Sequence, residues 1–371
     1  MGLNGCLQFI RNKYPHLLTD DHISKYAYQR VIVDIASYIY KYACIYGLDS
    51  SRWINAFVNL MVTFKINRVN PIVVFDGKPP AEKNGELNER KEKKQQTLEK
   101  IKQLDDALLA YTNKCSTQDD IDLLKNYIDK IDLKGQPIKR LLIEETNTFT
   151  TTEINALYEY VDKLRNTVVY ITPTHFQNMK DILTSLGIPH IQAEEEAEGY
   201  CCFLNKQGFG NAVISCDTDC IAHGATNIIF NLDANTGIIT HLNLEELKEE
   251  WELNNEQLKD FGILIGCDYN RKNKIAKIGP VNAIRLLQTY SRIEDIPNIT
   301  FDINEINKMR NLFDTQGNAD IIIPKIEMDF QNLEELTKLH NLNPSFITQL
   351  KELNTPVKII KINEHEELRS Q

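Results

Sequence analysis

The amino-acid sequence predicts an α/β protein with a mostly parallel central sheet flanked by helices. Unbroken apolar, β-branched runs, which are typical of buried strands, occur at 31–35, 71–75, 168–172, 212–215 and 228–232. Helical stretches alternate with these runs, among them 54–67, 174–186 and 195–206. Such alternation is typical of a parallel sheet covered on both faces, in which ligands gather at the carboxyl ends of the strands.

Residues 82 to about 165 interrupt this alternation with long, charge-rich helical stretches. Most charge runs of this kind are solvated helical faces. An insertion directly after a strand is also well placed to cover a site at the sheet edge. Both interpretations stay open at this point.

The last third of the chain has a different character. Residues 243–265 look helical, and Ile278-Gly279-Pro280 between two helical stretches predicts a tight helix–turn–helix junction. Pro280 suits the first position of the second helix, whose free N–H groups are able to hold a phosphate. A mostly helical tail follows.

Composition sets broad limits on the class of protein. The chain has 371 residues, 25% of them charged, and a net charge of -10, which argues against a surface coated for nucleic-acid binding. A local basic patch or bound divalent cations are compatible with that balance. The eight cysteines form no CxxC pair and have no zinc spacing, so a reducing, intracellular compartment is expected. No signal peptide is recognisable, and no apolar run approaches the roughly 18 residues of a membrane span.

Seven acidic residues stand in four short blocks, and most of them follow a predicted strand. They are Asp34, Asp76, Glu196, Glu198, Asp217, Asp219 and Asp268. Single blocks have ordinary structural explanations, such as a helix N-cap for Asp34, a turn cap for Asp268 and an acidic first helical turn for the glutamates. Together at one sheet edge, however, seven carboxylates are costly to bury unless cations neutralise them.

The spacing of the acids narrows the chemistry. Alternation along an extended segment places Asp217 and Asp219 on the same side, where they are able to hold a hard cation. Among the glutamates, helical spacing alone would pair Glu194 or Glu195 with Glu198, so the register stays open. A set rich in acids and poor in histidine suits Mg²⁺ or Mn²⁺ rather than zinc. Two such ions about 4 Å apart activate a water and stabilise the leaving oxygen in phosphodiester cleavage.

Taken in order, the motifs of the chain resemble those of the flap endonucleases, in the XPG-type structure-specific 5′ nuclease family. The matching segments are MGLNGCLQFI, VIVDIASYIY, VVFDGKPP with Lys83 and Arg90, EAEGYCCFL, SCDTDC and LIGCDY followed by IGP. They cover roughly 1–95 and 175–290. The resemblance implies a PIN-like 5′-nuclease fold with a helical arch insertion and a C-terminal helix–turn–helix DNA-binding region.

The resemblance also implies roles for the seven acids and for two basic residues. Asp34, Asp76, Glu196 and Glu198 would serve one Mg²⁺, and Asp217, Asp219 and Asp268 a second, with Mn²⁺ as a substitute. The glutamate register follows, because the family's Glu-Ala-Glu precedes two residues and then Cys, as Glu196 and Glu198 precede Cys201. Lys83 and Arg90 match catalytic basic residues at the base of the arch, which contact the scissile phosphate.

Contacts to DNA are implied in the same way, for Gly2, Tyr40, Lys274, Lys277 and Gly279. Tyr40 matches an aromatic that stacks on a base next to the cut; its alternative role is that of a core aromatic. The family's helix–turn–helix loop reads Gly-Ile-Gly-Pro-Lys, whereas this chain has Lys277 in place of the first glycine and Val281 in place of the lysine. That difference bears on a K⁺ site expected at this loop.

Five regions are expected from this resemblance. They are an N-terminal nuclease region at 1–81, the arch or cap insertion at 82–165, an internal nuclease region at 166–242, the duplex-binding helix–turn–helix region at 243–295, and the tail at 296–371. The insertion is longer than in a typical flap endonuclease.

The resulting hypothesis is a metal-dependent endonuclease that cleaves 5′ flaps near single-strand/duplex DNA junctions in replication and repair, with an accompanying 5′→3′ exonuclease activity. The alternatives are a bubble or junction nuclease of the same family, a 5′ exonuclease, an RNase with the same metal chemistry and, against the retention of all seven acids, an inactive DNA-structure-binding scaffold. Branched DNA is the expected partner of a monomer without a sliding-clamp box. The expected location is the nucleus, a host nucleus if the source is viral, or a cytoplasmic replication site.

Overall fold

The computed structural model describes residues 2–131, 148–270, 278–297, 302–315, 317 and 321–354. The strands in these residues are β1 Thr19–His22, β2 Arg30–Asp34, β3 Asn70–Phe75, β4 His190–Gln192, β5 Ala212–Ile214, β6 Asn227–Leu232 and β7 Ile238–Asn243. The α-helices in the same residues are α1 Cys6–Lys13, α2 Ala36–Tyr46, α3 Arg52–Ile66, α4 Asn84–Thr112, α5 Gln118–Ile128, α6 Thr151–Thr167, α7 Pro173–Ser185, α8 Ala197–Lys206, α9 Asp219–Ala222, α10 Leu244–Trp251, α11 Asn255–Ile265, α12 Pro280–Tyr290, α13 Ile303–Phe313, α14 Phe330–Leu339 and α15 Ser345–Asn354.

The strands form one mixed sheet in the order β1-β7-β6-β5-β2-β3-β4. The five strands β6, β5, β2, β3 and β4 are mutually parallel. At one edge β7 pairs antiparallel with β6, and β1 pairs antiparallel with β7. In register, Val33 of β2 lies between Val73 of β3 and Ile214 of β5. The carboxyl ends of these central strands therefore meet at one edge of the sheet, and the predicted α/β class with a mostly parallel sheet is confirmed.

Burial alternates along the central strands because helices cover both faces of the sheet. Val31 and Val33 face a core formed with α2, α3 and α7, and α14 and α15 close that core from outside. Ile32, between them, faces the opposite core, which contains side chains of α1, α8, α11, α12 and α13. The C-terminal helices thus belong to the covering layers of the sheet.

One strand prediction is wrong. Residues 168–172 form no strand but connect α6 to α7. Val168 is buried among the side chains of the inserted helices, so the apolar run reflects packing onto helices and not onto a sheet. Conversely, β1, β4 and β7 were not predicted. β1 is fully exposed, β4 is three residues long, and the polar Thr240 and His241 interrupt the apolar run of β7.

The insertion between β3 and α7 has a small core of its own. Side chains of α4, α5 and α6 form it, namely Ile101, Leu104, Ala107, Leu108, Leu124, Ile128, Leu157 and Val161, and Val168 joins them from the α6–α7 connection. Arg165 of α6 and Asp105 of α4 tie two of these helices together, with a separation of 2.6 Å. α6 also packs against α2, which follows β2 at the carboxyl edge of the sheet, so the three inserted helices, called the cap below, lie beside that edge. In the described residues, no helix combines the length and apolarity that a membrane crossing requires.

The helix–turn–helix region is fastened by one arginine. Pro280 stands at the first position of α12, as predicted, and Gly279 is the N-cap of this helix. Arg310 of α13 binds Asp260 of α11 through Nε at 2.7 Å and Glu294, just after α12, through Nη1 at 2.6 Å. Asp260 is only 2% exposed, so its charge depends on this forked pair.

We expect Arg310→Met to lower the free energy of unfolding by about 3–5 kcal/mol, because it leaves the buried Asp260 carboxylate without its partner. Urea unfolding followed by circular dichroism measures the loss. The control is Lys308→Met on the same helix, since the Lys308–Glu305 pair is exposed and such surface pairs contribute little to stability. Equal losses in the two variants would contradict the role given to Arg310.

A second buried polar group predicts a pH effect. His223 follows α9, is 2% exposed and donates from Nδ1 to the Phe313 carbonyl at 3.0 Å. Burial lowers the pKa of His223 from 6.5 to about 4. Between these values the unfolded chain binds a proton that the folded chain does not, so the contribution is complete above pH 6.5 and is lost as the pH falls through 4.

We therefore expect about 3 kcal/mol less stability at pH 4 than at pH 7 from this residue alone. Urea unfolding of the wild-type protein and of His223→Gln at both pH values isolates the contribution of His223, because glutamine keeps a donor for Phe313 but does not titrate. The variant should lose stability less steeply on acidification. An identical pH slope in both proteins would rule the histidine out as its source.

Candidate metal centre

Asp34 is the last residue of β2 and lies at the carboxyl edge of the sheet. It is 5% exposed, and Ser215, which follows β5, donates to its Oδ2 at 2.8 Å. The backbone N–H of Ala36, at the start of α2, also donates to it. Asp34 therefore binds the start of this helix and at the same time lies at the site. Burial and the charge of Asp76 raise the pKa of Asp34 to about 7.

Three carboxylates converge in the buried part of the site. Glu198 on the first turn of α8, Asp217 after β5 and Asp219 at the start of α9 each bring an oxygen within 4.8 Å of the other two. Asp219 is fully buried. The backbone N–H of Asp219 donates to Oδ1 of Asp217 at 2.9 Å, which fixes the turn between them.

These three carboxylates are short of hydrogen-bond donors. Among the described residues, neither oxygen of Asp219 nor Oε1 of Glu198 has a hydrogen-bond partner. Burial and the charge of Asp217 raise the pKa of Asp219 and of Glu198 well above the ordinary range. Buried, unpartnered carboxylate oxygens at this spacing fit a hard divalent cation, because it would supply the missing charge and the missing bonds.

Asp76 and Glu196 lie at the outer rim of the same edge. Asp76 follows β3, is exposed, and accepts the backbone N–H of Ala197 at 2.9 Å, at the start of α8. Glu196 is the N-cap of that helix, and its Oε2 accepts the phenol of Tyr269 at 3.0 Å. The start of α8, with its positive helix end, thus gathers three of the seven acids, Asp76, Glu196 and Glu198.

A lysine enters the middle of the cluster. Lys83 ends the short 3₁₀ turn before α4 and is 6% exposed. Its Nζ contacts Glu196 Oε1 and lies 3.6 Å both from Glu198 Oε1 and from Asp268 Oδ2. Burial alone would lower the pKa of Lys83, but the charges of Glu198 and Glu196 outweigh it and raise the pKa.

Arg90, two turns along α4, approaches the same acids from above. Its Nη2 lies 3.8 Å from Oδ2 of Asp268, which is 1% exposed, and its Nε contacts the buried Glu86 on the preceding turn of the helix. Nearly half of the Arg90 side chain is exposed. Lys83 thus places a positive charge among the carboxylates, and Arg90 places a second, half-exposed one beside Asp268.

Gly2 lies against the acids, and its backbone requires glycine. Its φ is +79°, and a Cβ at this position would overlap Oδ1 of Asp217 and lie 2.8 Å from the backbone nitrogen of Asp219. The following residues are anchored nearby, since Thr218 Oγ1 donates to the Leu3 carbonyl at 3.4 Å. The predicted DNA contact of Gly2 thus coincides with a place where the backbone packs directly on a predicted metal ligand.

The remaining predicted DNA contacts are placed differently. Tyr40 on α2 is 43% exposed, and burial together with the charge of Asp76 raises its pKa, so it lies at the rim and not in the core. Gly279 has open space around the position of a Cβ, at the start of α12. Lys274 and Lys277 lie outside the described residues.

Three residues of the site were not predicted. Ser215 holds Asp34, Tyr269 holds Glu196, and Glu86 holds Arg90. Two of them carried a signal, since Ser215 precedes Asp217 by two residues and Tyr269 adjoins Asp268. Glu86 stands within a run of charged residues that gives no sign that one member is buried.

We expect Gly2→Ala to weaken divalent metal binding at least about tenfold, because the added methyl group displaces Asp217 and strains a left-handed backbone. Mn²⁺ binding followed by electron paramagnetic resonance measures this without any substrate. Gly5→Ala is the matched control, since Gly5 also has a positive φ but open space around its Cβ position. Equal metal affinity in the two variants would show that the contact with Asp217 does not matter.

Comparisons with known proteins agree with this architecture. Residues 1–97 match the XPG N-terminal domain and residues 187–268 match the XPG I-region. The probable RAD2-like endonuclease 369L of Invertebrate iridescent virus 6 is 24% identical over 80% of this chain and 73% of its own length. Human flap endonuclease 1 is 27% identical over 80% of this chain and 68% of its own.

Solved structures share the fold. The catalytic core of Rad2 in complex with DNA substrate superposes with a TM-score of 0.60 at 14% identity, over 92% of this chain and 99% of that one. Flap endonuclease-1 from Methanococcus jannaschii gives a TM-score of 0.55 at 20% identity, over 92% and 98%. Both XPG regions are matched in order along the chain, and together with the relatives named as endonucleases they support the recognition of the chain as an XPG-type nuclease similar to the flap endonucleases.

Proposed function

We propose that this protein is a metal-dependent, structure-specific endonuclease that hydrolyses a DNA phosphodiester near a junction of single strand and duplex. The observation that carries the proposal is the convergence of Glu198, Asp217 and Asp219, in which both oxygens of Asp219 and Oε1 of Glu198 are buried without a hydrogen-bond donor, beside the cations of Lys83 and Arg90. A pure DNA-binding scaffold would gain nothing from carboxylates that repel phosphates. The names of the relatives, RAD2-like endonuclease and flap endonuclease, support the same class of reaction.

The acids are proposed to hold two divalent cations, Mg²⁺ or in its place Mn²⁺. Asp34, Asp76, Glu196 and Glu198 are assigned to one site, and Asp217, Asp219 and Asp268 to the other. When bound, such ions supply Lewis acidity and a more acidic water nucleophile for phosphodiester hydrolysis. The chain's own part is to aim oxygens at the ions from fixed strand and helix ends.

The basic side chains are proposed to act on the phosphate. Lys83 and Arg90 stand where a phosphate approaching the carboxylates would pass, and their charges would balance those of its non-bridging oxygens. The Lys83 ammonium is held among carboxylates at 3.6 Å or less, so it stays protonated and acts as a charge and not as a base.

Contacts farther from the cut are proposed to select the DNA shape. Tyr40 would stack on a base beside the cleaved bond. The start of α12 at Gly279, with Lys274, Lys277 and a K⁺ ion at the loop, would grip the downstream duplex through its phosphates. The cap at 82–165 would select the free 5′ strand, while 1–81 and 166–242 carry the nuclease body and 243–295 the duplex grip.

A 5′ flap is the proposed substrate, cut so that a 5′ phosphate remains, with 5′→3′ exonuclease action on nicked DNA. A junction nuclease is the second candidate, because human GEN1 in complex with Holliday junction DNA superposes with a TM-score of 0.56. Replication and repair of DNA, in a nucleus or at a cytoplasmic replication site, are the proposed context, and the protein is proposed to act as a monomer.

The test is cleavage of labelled flap, nicked, bubble and four-way DNA by the purified protein under a Mg²⁺ or Mn²⁺ titration. We expect the flap to be cut fastest. Asp219→Asn, which keeps the shape of the side chain, should lower the single-turnover rate by at least about 10³-fold while flap binding in Ca²⁺ persists.

The control is Asp233→Asn, an exposed acid in the turn after β6 and outside the cluster. It should cleave like the wild type. No cleavage of any substrate by the wild-type protein with either metal would refute the enzymatic proposal, and faster cutting of four-way DNA than of the flap would favour the junction nuclease.

A further inference from the structure

The first half of α4 leads from the metal centre to the cap and buries no apolar side chain on the way. No residue between 87 and 100 is buried, whereas Ile101, Leu104 and Leu108 farther along the helix belong to the core of the cap. The helix is therefore anchored at its start, at Lys83 and Glu86, and at its far end. Between these anchors its position depends on polar contacts.

The residues that face the nuclease body along this stretch recur every four positions. Glu86, Arg90 and Lys94 lie on one side of the helix at this spacing. Glu86 contacts Arg90, and Arg90 approaches Asp268, as described above. Lys94 continues the row by one turn, in the direction of the cap.

Lys94 makes two contacts with the connection between α6 and α7. Its Nζ donates to the carbonyl of Val169 at 2.7 Å and lies 4.0 Å from the ring centroid of Tyr170. Val169 is 8% exposed and Tyr170 is 59% exposed, so the carbonyl sits on a buried anchor and the ring covers the ammonium from outside. The neighbouring Lys91 and Lys93 are exposed.

We infer that Lys94 is a positioning residue, a latch that fixes the unburied half of α4 above the metal centre. By holding the turn after Arg90 against Val169 and Tyr170, it sets the distance of the guanidinium from Asp268 and hence from a phosphate bound there. The inference rests on the proposed nuclease function for its effect on rate, but the latch itself exists without substrate. Displacements of about 1 Å at such a group are enough to change rates by up to about 10²-fold.

A direct contact between Lys94 and DNA phosphate is the competing explanation. The structure favours the latch, because the ammonium is engaged by a carbonyl and a ring while the adjacent lysines project into solvent. Tyr170 separates the two explanations, since it carries no charge for a phosphate and yet is one half of the latch.

The first experiment uses the protein without DNA or metal. Hydrogen exchange of the amides at 88–98 should become about tenfold faster in Lys94→Met and several-fold faster in Tyr170→Leu, the range expected for losing a charge-assisted hydrogen bond and a cation–π contact. Lys93→Met removes the same charge from an exposed position and should exchange like the wild type. Because no cleavage is measured, this result stands apart from the proposed function.

The second experiment measures single-turnover cleavage and flap binding in Ca²⁺. Lys94→Met and Tyr170→Leu should slow cleavage about tenfold at saturating DNA. The DNA affinity of Lys94→Met should equal that of Lys93→Met, and the DNA affinity of Tyr170→Leu should equal that of the wild type. Lys94→Arg, which keeps both contacts, should restore the rate. Unchanged hydrogen exchange in Lys94→Met would overturn the latch, as would a loss confined to DNA affinity and equal in Lys93→Met.

Discussion

The structure depends on one electrostatic constraint, the burial of several carboxylates at the end of a hydrophobic sheet. A charge in such a place is costly, and the cost grows when like charges share the site. Every element near the edge serves to offset it. Ser215 and backbone N–H groups bind Asp34, the start of α8 faces three acids, and Lys83 brings a positive charge into the middle. Both oxygens of Asp219 and one oxygen of Glu198 remain without a hydrogen-bond donor, and they mark where protein groups alone do not balance the charge.

The same constraint explains why the cap is joined to the body by polar contacts. A helix that packed on the carboxylate edge with leucines would close it to a phosphodiester. α4 instead crosses this region with a row of charged residues and buries apolar side chains only beyond residue 100. Its position is consequently set by a few directional contacts, which specify geometry well but contribute less stability than an apolar interface of equal length.

Much of this arrangement was predictable from the sequence, for identifiable physical reasons. The runs around Val33 and Val73 are continuous, apolar and rich in β-branched residues, so the sequence predicted these segments as buried strands. β1 was not predictable, because an exposed strand such as Thr19–His22 has no apolar pattern and is defined by its partner β7. The run at 168–172 was misassigned since periodicity reports burial and not the element against which a residue is buried. At the site, the acids were recognisable by type and spacing, but the glutamate register needed the family resemblance. Glu86 was not recognisable, because it stands in a run of charged residues that gives no sign that one member is buried.

The strand order also has a consequence for how the chain reaches its native state. β2 lies between β3 and β5, and β1 pairs with β7, whose residues 238–243 are synthesised more than 200 positions later. Pairings this distant carry a large loop-closure entropy and are slow to form. During translation β2 is able to pair with β3 early, whereas β1 must remain without β7, and the other edge of β2 without β5. The mutual repulsion of Glu198, Asp217 and Asp219 arises only after Asp219 has left the ribosome, when Lys83 and Ser215 have been synthesised as well. The order of the motifs along the chain thus delays this charge encounter until more than half of the chain has been synthesised.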